Sequence, residues 1–233
     1  MKNPEQQPPV TQRAHGRRRI FIIDDHPIVR FGLRRMIEHE PDLTVCGEAE
    51  AVQPALSALR DPLPDLVLAD VGMPGRSILD FLKDLRAMHP TVPVLVLSMH
   101  DEATYAERMI RAGARGYIMK SEGGSRLLEA IRRVLDGEPY LSTAMSARLF
   151  EAFGQRRSLA NGATMTDLTD REFEVLQLLG DGKTSREVAT QLGVSPKTIE
   201  AHRLNLGRKL GARTAAQLMR LAVLYRQNGT IPR

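Results

Sequence analysis

The chain has 233 residues, 33 Lys and Arg against 28 Asp and Glu, and a single cysteine. Hydrophobic residues make up 42% and charged residues 26%, which excludes wholesale disorder and suits one or two globular domains. No apolar run approaches the roughly 18 residues of a membrane helix, the stretch from Met1 to Gly16 lacks the apolar core of a secretory signal, and Cys46 alone forms no internal disulfide or cysteine metal cluster. A cytoplasmic protein without membrane contact is expected, with Cys46 a small buried strand residue.

Charge is unevenly spread. Residues 1–17 are net +2, 18–138 net −3, 139–163 net +2 and 164–233 net +4. The first stretch, with Pro8 and Pro9 among Gln and Arg, is expected to be a disordered tail. An acidic body followed by a small basic one suggests two tasks. A basic module almost without aromatics points to a nucleic-acid backbone rather than to stacking on single strands.

From Arg19 onward, short apolar runs alternate with amphipathic segments. Ile20 to Ile23 predicts a strand ending in Asp24-Asp25, and a helix follows from Pro27 to Glu38. Thr44 to Gly47 predicts a second strand, and Ala51 to Leu59 a helix. Leu66 to Ala69 is a third strand ending at Asp70, with a helix from Ile78 to Met88. Val94 to Leu97 is a fourth, ending at Ser98, with a helix from Thr104 to Ala112. Gly116 to Met119 is a fifth, ending at Lys120, and Ser125 to Leu135 is the last helix of this body. Continuous apolar strands between helices imply a parallel sheet covered on both faces.

Ligands of such sheets bind beyond the carboxyl ends of the strands. Asp24, Asp25, Asp70, Ser98 and Lys120 all fall there. Three carboxylates in one crevice repel one another and need a cation, and hard oxygen donors that leave room for water and phosphate favour Mg²⁺. With the metal bound, one carboxylate can attack a phosphoryl group to form an acyl phosphate. The Lys can neutralise that phosphate and the Ser hydroxyl can donate to it.

The runs Ile22-Ile23-Asp24-Asp25-His26, Asp65 to Pro74, Val96-Leu97-Ser98 and Ala112 to Lys120 resemble the receiver domain of a two-component response regulator. The resemblance implies a flavodoxin-like fold over residues 18–138 and Asp70 as phosphoacceptor. It also implies Asp24, Asp25, Asp70 and the Gly72 carbonyl as Mg²⁺ ligands, Ser98 and Tyr117 as a switch pair, and Lys120 at the phosphoryl group. Where the family has Asp-Gly or Asn-Gly after Met73-Pro74, this chain has Ser77-Ile78, which is expected to stiffen the turn and change what covers the site. Gly72 offers no side chain to steer a hydrolytic water, and His100 is the nearest candidate for that part.

The second body announces its helices. Thr169 with Glu172, Thr184 with Glu187 and Thr214 with Gln217 are spaced as capping boxes, and Ser195-Pro196 pairs an N-cap with proline at the first helical position. Gly182, Gly193 and Gly211 mark helix exits. Residues 164–229 therefore predict a small all-α four-helix module. Residues 139–163 form a linker, with a helix expected from Ser142 to Phe153 and polar residues after Gln155.

The helix from Pro196 to Leu210 has two faces. Ile199, His202, Arg203, Leu206 and Leu210 share one, and Lys197, Glu200, Ala201, Leu204, Asn205 and Arg208 the other. The second mixes donors, an acceptor and apolar groups, as reading base edges requires. A helix–Gly turn–helix precedes it. The runs Leu168 to Leu176, Lys183 to Ala189, Val194 to Arg203 and Arg208 to Leu210 resemble a LuxR-type helix-turn-helix domain, and the two resemblances together match the NarL/FixJ subfamily of response regulators. Lys197, Thr198, Arg203 and Lys209 are expected at phosphates, and Glu200, Ala201, Leu204 and Asn205 at bases. The last helix presents Leu218, Leu221, Val223, Leu224 and Tyr225, more apolar surface than one face of a small module needs; part of it is expected in the core, and the remainder suits a homodimer contact.

The expected protein is a regulator that a histidine kinase phosphorylates at Asp70 and that binds double-stranded DNA. One alternative is a DNA binder whose receiver no longer switches, for which Ser77-Ile78 is the support. Another is a phosphotransfer or docking module, against which the basic second body argues. A metabolic enzyme is not expected, because no Gly-rich nucleotide loop or second nucleophile–base pair accompanies the crevice.

Overall fold

The computed structural model describes residues 16–60, 62–73, 77–99, 102–143, 145–147 and 168–228. The expected tail up to residue 15, His100, and the linker positions Leu149, Phe150 and Phe153 lie outside the described residues. Arg17, the last residue of that tail, donates to the carbonyls of Glu38 and Glu40.

The first body runs β1 (Arg18–Ile23), α1 (Pro27–Glu38), β2 (Leu43–Ala49), α2 (Val52–Ala58), β3 (Leu66–Asp70), α3 (Ile78–Met88), β4 (Val94–Ser98), α4 (Glu102–Ala112), β5 (Gly116–Met119) and α5 (Gly124–Leu135). A single 3₁₀ turn, Lys120–Glu122, joins β5 to α5. The five strands pair in parallel in the order β2-β1-β3-β4-β5.

Alternation along the strands splits the core into two layers. Ile20, Ile22, Leu66 and Leu68 meet Leu33 and Ile37 of α1 and Ile131 and Val134 of α5. Phe21, Ile23, Val67 and Val96 meet Val52 of α2, Phe81 of α3 and Ala106 of α4. β2 is longer than its apolar run because Glu48 and Ala49 continue the ladder with Ile22 and Ile23. Cys46 lies on this edge strand only half-buried, and burial pushes its thiol up.

The second body contains α6 (Asp170–Gly180), α7 (Ser185–Gln191), α8 (Pro196–Leu210) and α9 (Ala215–Asn228). All three capping boxes form, and Ser195 Oγ accepts the Thr198 N–H at 3.1 Å. Gly182, Gly193 and Gly211 exit their helices at positive φ, where a Cβ would be strained. Phe173, Leu176, Val188, Ile199, Leu206, Leu218 and Tyr225 fill its core. Positions 143 and 145–147 of the expected linker helix are helical. Among the described residues no helix is long and apolar enough to cross a membrane.

Candidate functional site

The parallel register gathers the strand ends. Ile23 pairs with Ala69 and Asp70 with Leu97, so Asp24, Asp25, Asp70, Ser98 and Lys120 emerge at one edge of the sheet. Lys120 Nζ lies 2.7 Å from Asp24 Oδ2 and 3.0 Å from Asp70 Oδ1. Asp24 is wholly buried, and its Oδ1 accepts the His26 backbone N–H at 2.8 Å while Arg30 donates to its carbonyl at 2.6 Å. Ligand atoms of Asp24, Asp25, His26 and Asp70 lie within 4.8 Å of one another. His26 was not expected in this cluster; the signal was its place directly after the Asp pair.

Asp25 Oδ1 is buried and receives no aligned hydrogen bond, although His26 Nδ1 stands 2.7 Å away. An orphaned carboxylate oxygen beside two further acids fits a divalent cation, and the all-oxygen carboxylate trio suits Mg²⁺. The Gly72 N–H donates to Asp70 Oδ2 at 3.3 Å, and a Cβ at Gly72 would sit 3.3 Å from that same oxygen. Glycine therefore leaves open the space over the acid. Burial pushes the Asp70 carboxyl up against the downward pull of Lys120. Burial would lower the Lys120 ammonium, but its bonds to Asp24 and Asp70 outweigh that and hold it above its usual range. Ser98 ends β4 fully buried, and Tyr117 is buried on the neighbouring β5.

On the second body, Lys197, Thr198, Glu200, Ala201, Leu204 and Arg208 are exposed on α8, whereas Ile199 and Leu206 point into the core. Leu204 is 76% exposed, an apolar side chain left in water on the face expected to meet bases. Three expected DNA contacts are also held within the domain. Arg203 donates to Ser185 Oγ at 2.6 Å, Asn205 Oδ1 accepts from Arg208 at 2.6 Å, and Lys209 Nζ lies 2.7 Å from Glu172 Oε2.

The two bodies touch through α6, which lies against α3 and α4. Asp170 pairs with Lys83 and, at 3.0 Å, with Arg108. The Arg108 guanidinium also donates to the Leu168 carbonyl at 3.1 Å and sits 4.4 Å from the Phe173 ring centroid. Tyr105 meets the same ring edge-on at 5.3 Å, and Ser77 donates to the Glu174 carboxylate. None of these contacts was legible in the sequence, because they join positions 60 to 97 residues apart.

A doubly covered parallel sheet with an acidic crevice, joined to a basic helix-turn-helix module, defines a two-domain regulator. The response regulator receiver domain family matches residues 20–132, and the family of bacterial regulatory proteins, luxR family, matches residues 166–222. The transcriptional regulatory protein MctR of Rhizobium johnstonii is 36% identical over 205 residues, covering 88% of this chain and 92% of that one. The oxygen regulatory protein NreC of Staphylococcus aureus is 34% identical over 210 residues, covering 88% and 96%. A solved structure of RcsB from Salmonella enterica serovar Typhimurium, bound to promoter rprA with the phosphomimetic BeF3-, superposes with a TM-score of 0.62 at 25% identity, covering 88% and 98% of the two chains. The chain belongs to the response regulators of the NarL/FixJ type, a family of DNA-binding transcription regulators.

Proposed function

We propose that this protein is a transcription regulator switched by phosphorylation of Asp70, with a sensor histidine kinase as donor. The observation that carries this reading is the placement of Lys120, whose ammonium lies within 3.0 Å of both Asp24 and Asp70 in a buried crevice. Asp24, Asp25, Asp70 and the Gly72 carbonyl would hold Mg²⁺, which when bound neutralises charge on the phosphoryl oxygens. An Asp70 carboxylate oxygen forms the new bond to phosphorus, and the bond from phosphorus to the donor's imidazole nitrogen breaks, its electron pair leaving with the imidazole. Lys120 then pairs with one phosphoryl oxygen and the Ser98 hydroxyl donates to another, with Tyr117 following on β5.

At the DNA, Lys197, Thr198, Arg203 and Lys209 hold phosphates of the duplex. Glu200, Ala201, Leu204, Asn205 and Arg208 occupy the groove-facing stripe. Leu221, Val223 and Leu224 of α9 are only half-buried and are available to a second copy. Ser77-Ile78 does not favour a receiver that has stopped switching, since Ser77 caps α3 and bonds to the second domain.

The test is intact mass after incubation with Mg²⁺ and acetyl phosphate. One phosphoryl adduct on the wild type and none on Asp70→Asn is the expected result. An adduct on both, or on neither, would overturn the assignment.

A further inference from the structure

The seam between the domains borders the phosphoacceptor crevice, since Gly72 and Met73 line the same cavity as Phe173 and Gln177, and it contains a conflict. α6 turns one helical stripe toward the receiver, with Asp170, Phe173, Glu174 and Gln177 at i, i+3, i+4 and i+7. The first three each meet a receiver group: Arg108 and Lys83, then Tyr105, then Ser77. Gln177 continues the stripe and borders the same cavity between the domains as Ser77, Tyr105 and Met109. It is 3% exposed, and neither its amide oxygen nor its amide nitrogen has a hydrogen-bond partner.

A buried amide without partners has given up its hydration for nothing. Moving α6 off the receiver returns that amide to water. Glu174 adds to the conflict, since burial pushes its carboxyl up although Ser77 and Arg171 both bond to it. The ion pairs of Asp170 and the stacking of Arg108 on Phe173 therefore work against a cost located in the same seam. At its receiver end stands Ser77, which accepts the Leu79 N–H at 3.0 Å as the cap of α3, seven positions after Asp70 in the sequence.

We infer that the unpartnered Gln177 amide holds the docking of α6 on the α3–α4 face close to balance, so that a small shift of Ser77 at the start of α3 separates the two domains. The inference rests on the proposed phosphorylation for its trigger alone; the balance itself belongs to the unphosphorylated chain. Gln177 acts here as a positioning residue and touches neither phosphate nor DNA.

The experiment is hydrogen exchange on the full chain, read over α6 and α4, with and without acetyl phosphate and Mg²⁺. Leucine or methionine at this position keeps the bulk and removes both orphaned polar atoms. Gln177→Leu and Gln177→Met should each slow exchange in both helices about tenfold or more in the unphosphorylated chain. Each should also raise by a similar factor the donor needed to reach half-maximal opening. Arg108→Gln should move exchange the opposite way, because it removes an attraction on the receiver side. Urea unfolding of the same variants, followed over the second domain, separates docking from folding. Unchanged or faster exchange in both apolar variants, in whichever of them keeps its folded second domain, overturns the inference. Faster exchange in a variant whose second domain has itself become unstable is settled by the other variant and by Arg108→Gln, whose failure to speed exchange also overturns it. Slowed exchange without any Asp70 adduct would sink the phosphorylation reading and leave the docking balance standing.

Discussion

Ser77 donates its hydroxyl hydrogen to the carboxylate of Glu174, joining positions 97 residues apart across the two domains. The same oxygen caps α3 by accepting the Leu79 N–H. A residue that departs from the receiver pattern is thus, with Lys83, Tyr105 and Arg108, among those that reach the DNA-binding body. A double-mutant cycle with Ser77→Ala and Glu174→Gln, measured by urea unfolding of the full chain, should give a coupling of about 1 kcal/mol. Strict additivity of the two substitutions would contradict the contact.

Lys120 neutralises two acids that are almost fully buried. Removing one partner of such a cluster leaves uncompensated charge, at a cost of about 3 kcal/mol. Lys120→Met should lower the stability of the receiver by that order in metal-free buffer. Added Mg²⁺ should recover part of the loss, since a cation takes over the neutralisation. Equal stability of variant and wild type in both buffers would count against the crevice as described.

Gly180 lets α6 and α9 approach closely. A Cβ there would lie 2.6 Å from the Ala222 carbonyl oxygen and 3.1 Å from its carbon, both backbone atoms that cannot rotate away. Gly180→Ala gains helix propensity yet should destabilise the second domain by about 1–3 kcal/mol. Thermal unfolding checks this, and a stabilised variant would contradict the packing.

Acid should loosen the second domain through Glu172. Burial alone would raise its carboxyl, but Lys209 and the Thr169 N–H outweigh burial and hold it below the usual range. A carboxyl lowered in the fold contributes stability that is full above its unfolded value, about 4.3, and is lost as pH falls through the folded value. Glu172→Gln should therefore flatten the acid limb of the stability curve, and Lys209→Met should flatten it in part. An acid limb unchanged in both variants would show that the pair does not carry it.

Much of this arrangement was legible in the residues. α1, α3, β5 and α8 fall where the sequence places them, because Pro27, the amphipathic run from Ile78 to Met88, the Gly116 to Met119 run and the Ser195-Pro196 to Gly211 frame are local signals. β2 extends further than expected because an edge strand pairs through its backbone, whatever side chains it carries. The gathering of Asp24, Asp70 and Lys120 followed from strand ends in a parallel sheet. The Lys209–Glu172 pair and the stacking of Arg108 on Phe173 did not, since no local pattern tells a basic residue whether an acid, a ring or a phosphate will meet it.

On DNA, the proposed contacts of α8 are expected to divide into positioning and reading groups. Lys197→Ala should weaken all sequences alike and reduce the salt slope of binding by about 1, whereas Asn205→Ala should relax sequence preference at a cost of about 1–3 kcal/mol on the preferred site. Competition titrations at several salt concentrations check both. The same loss on preferred and random DNA for both variants would refute the division.

The most direct measurement is the DNA affinity of the full chain, titrated with and without acetyl phosphate and Mg²⁺, for the wild type and for Asp70→Asn. The account predicts that the donor tightens binding by the wild type and leaves Asp70→Asn unchanged. Binding that ignores the donor in both proteins, or responds to it equally in both, would contradict a switch at Asp70.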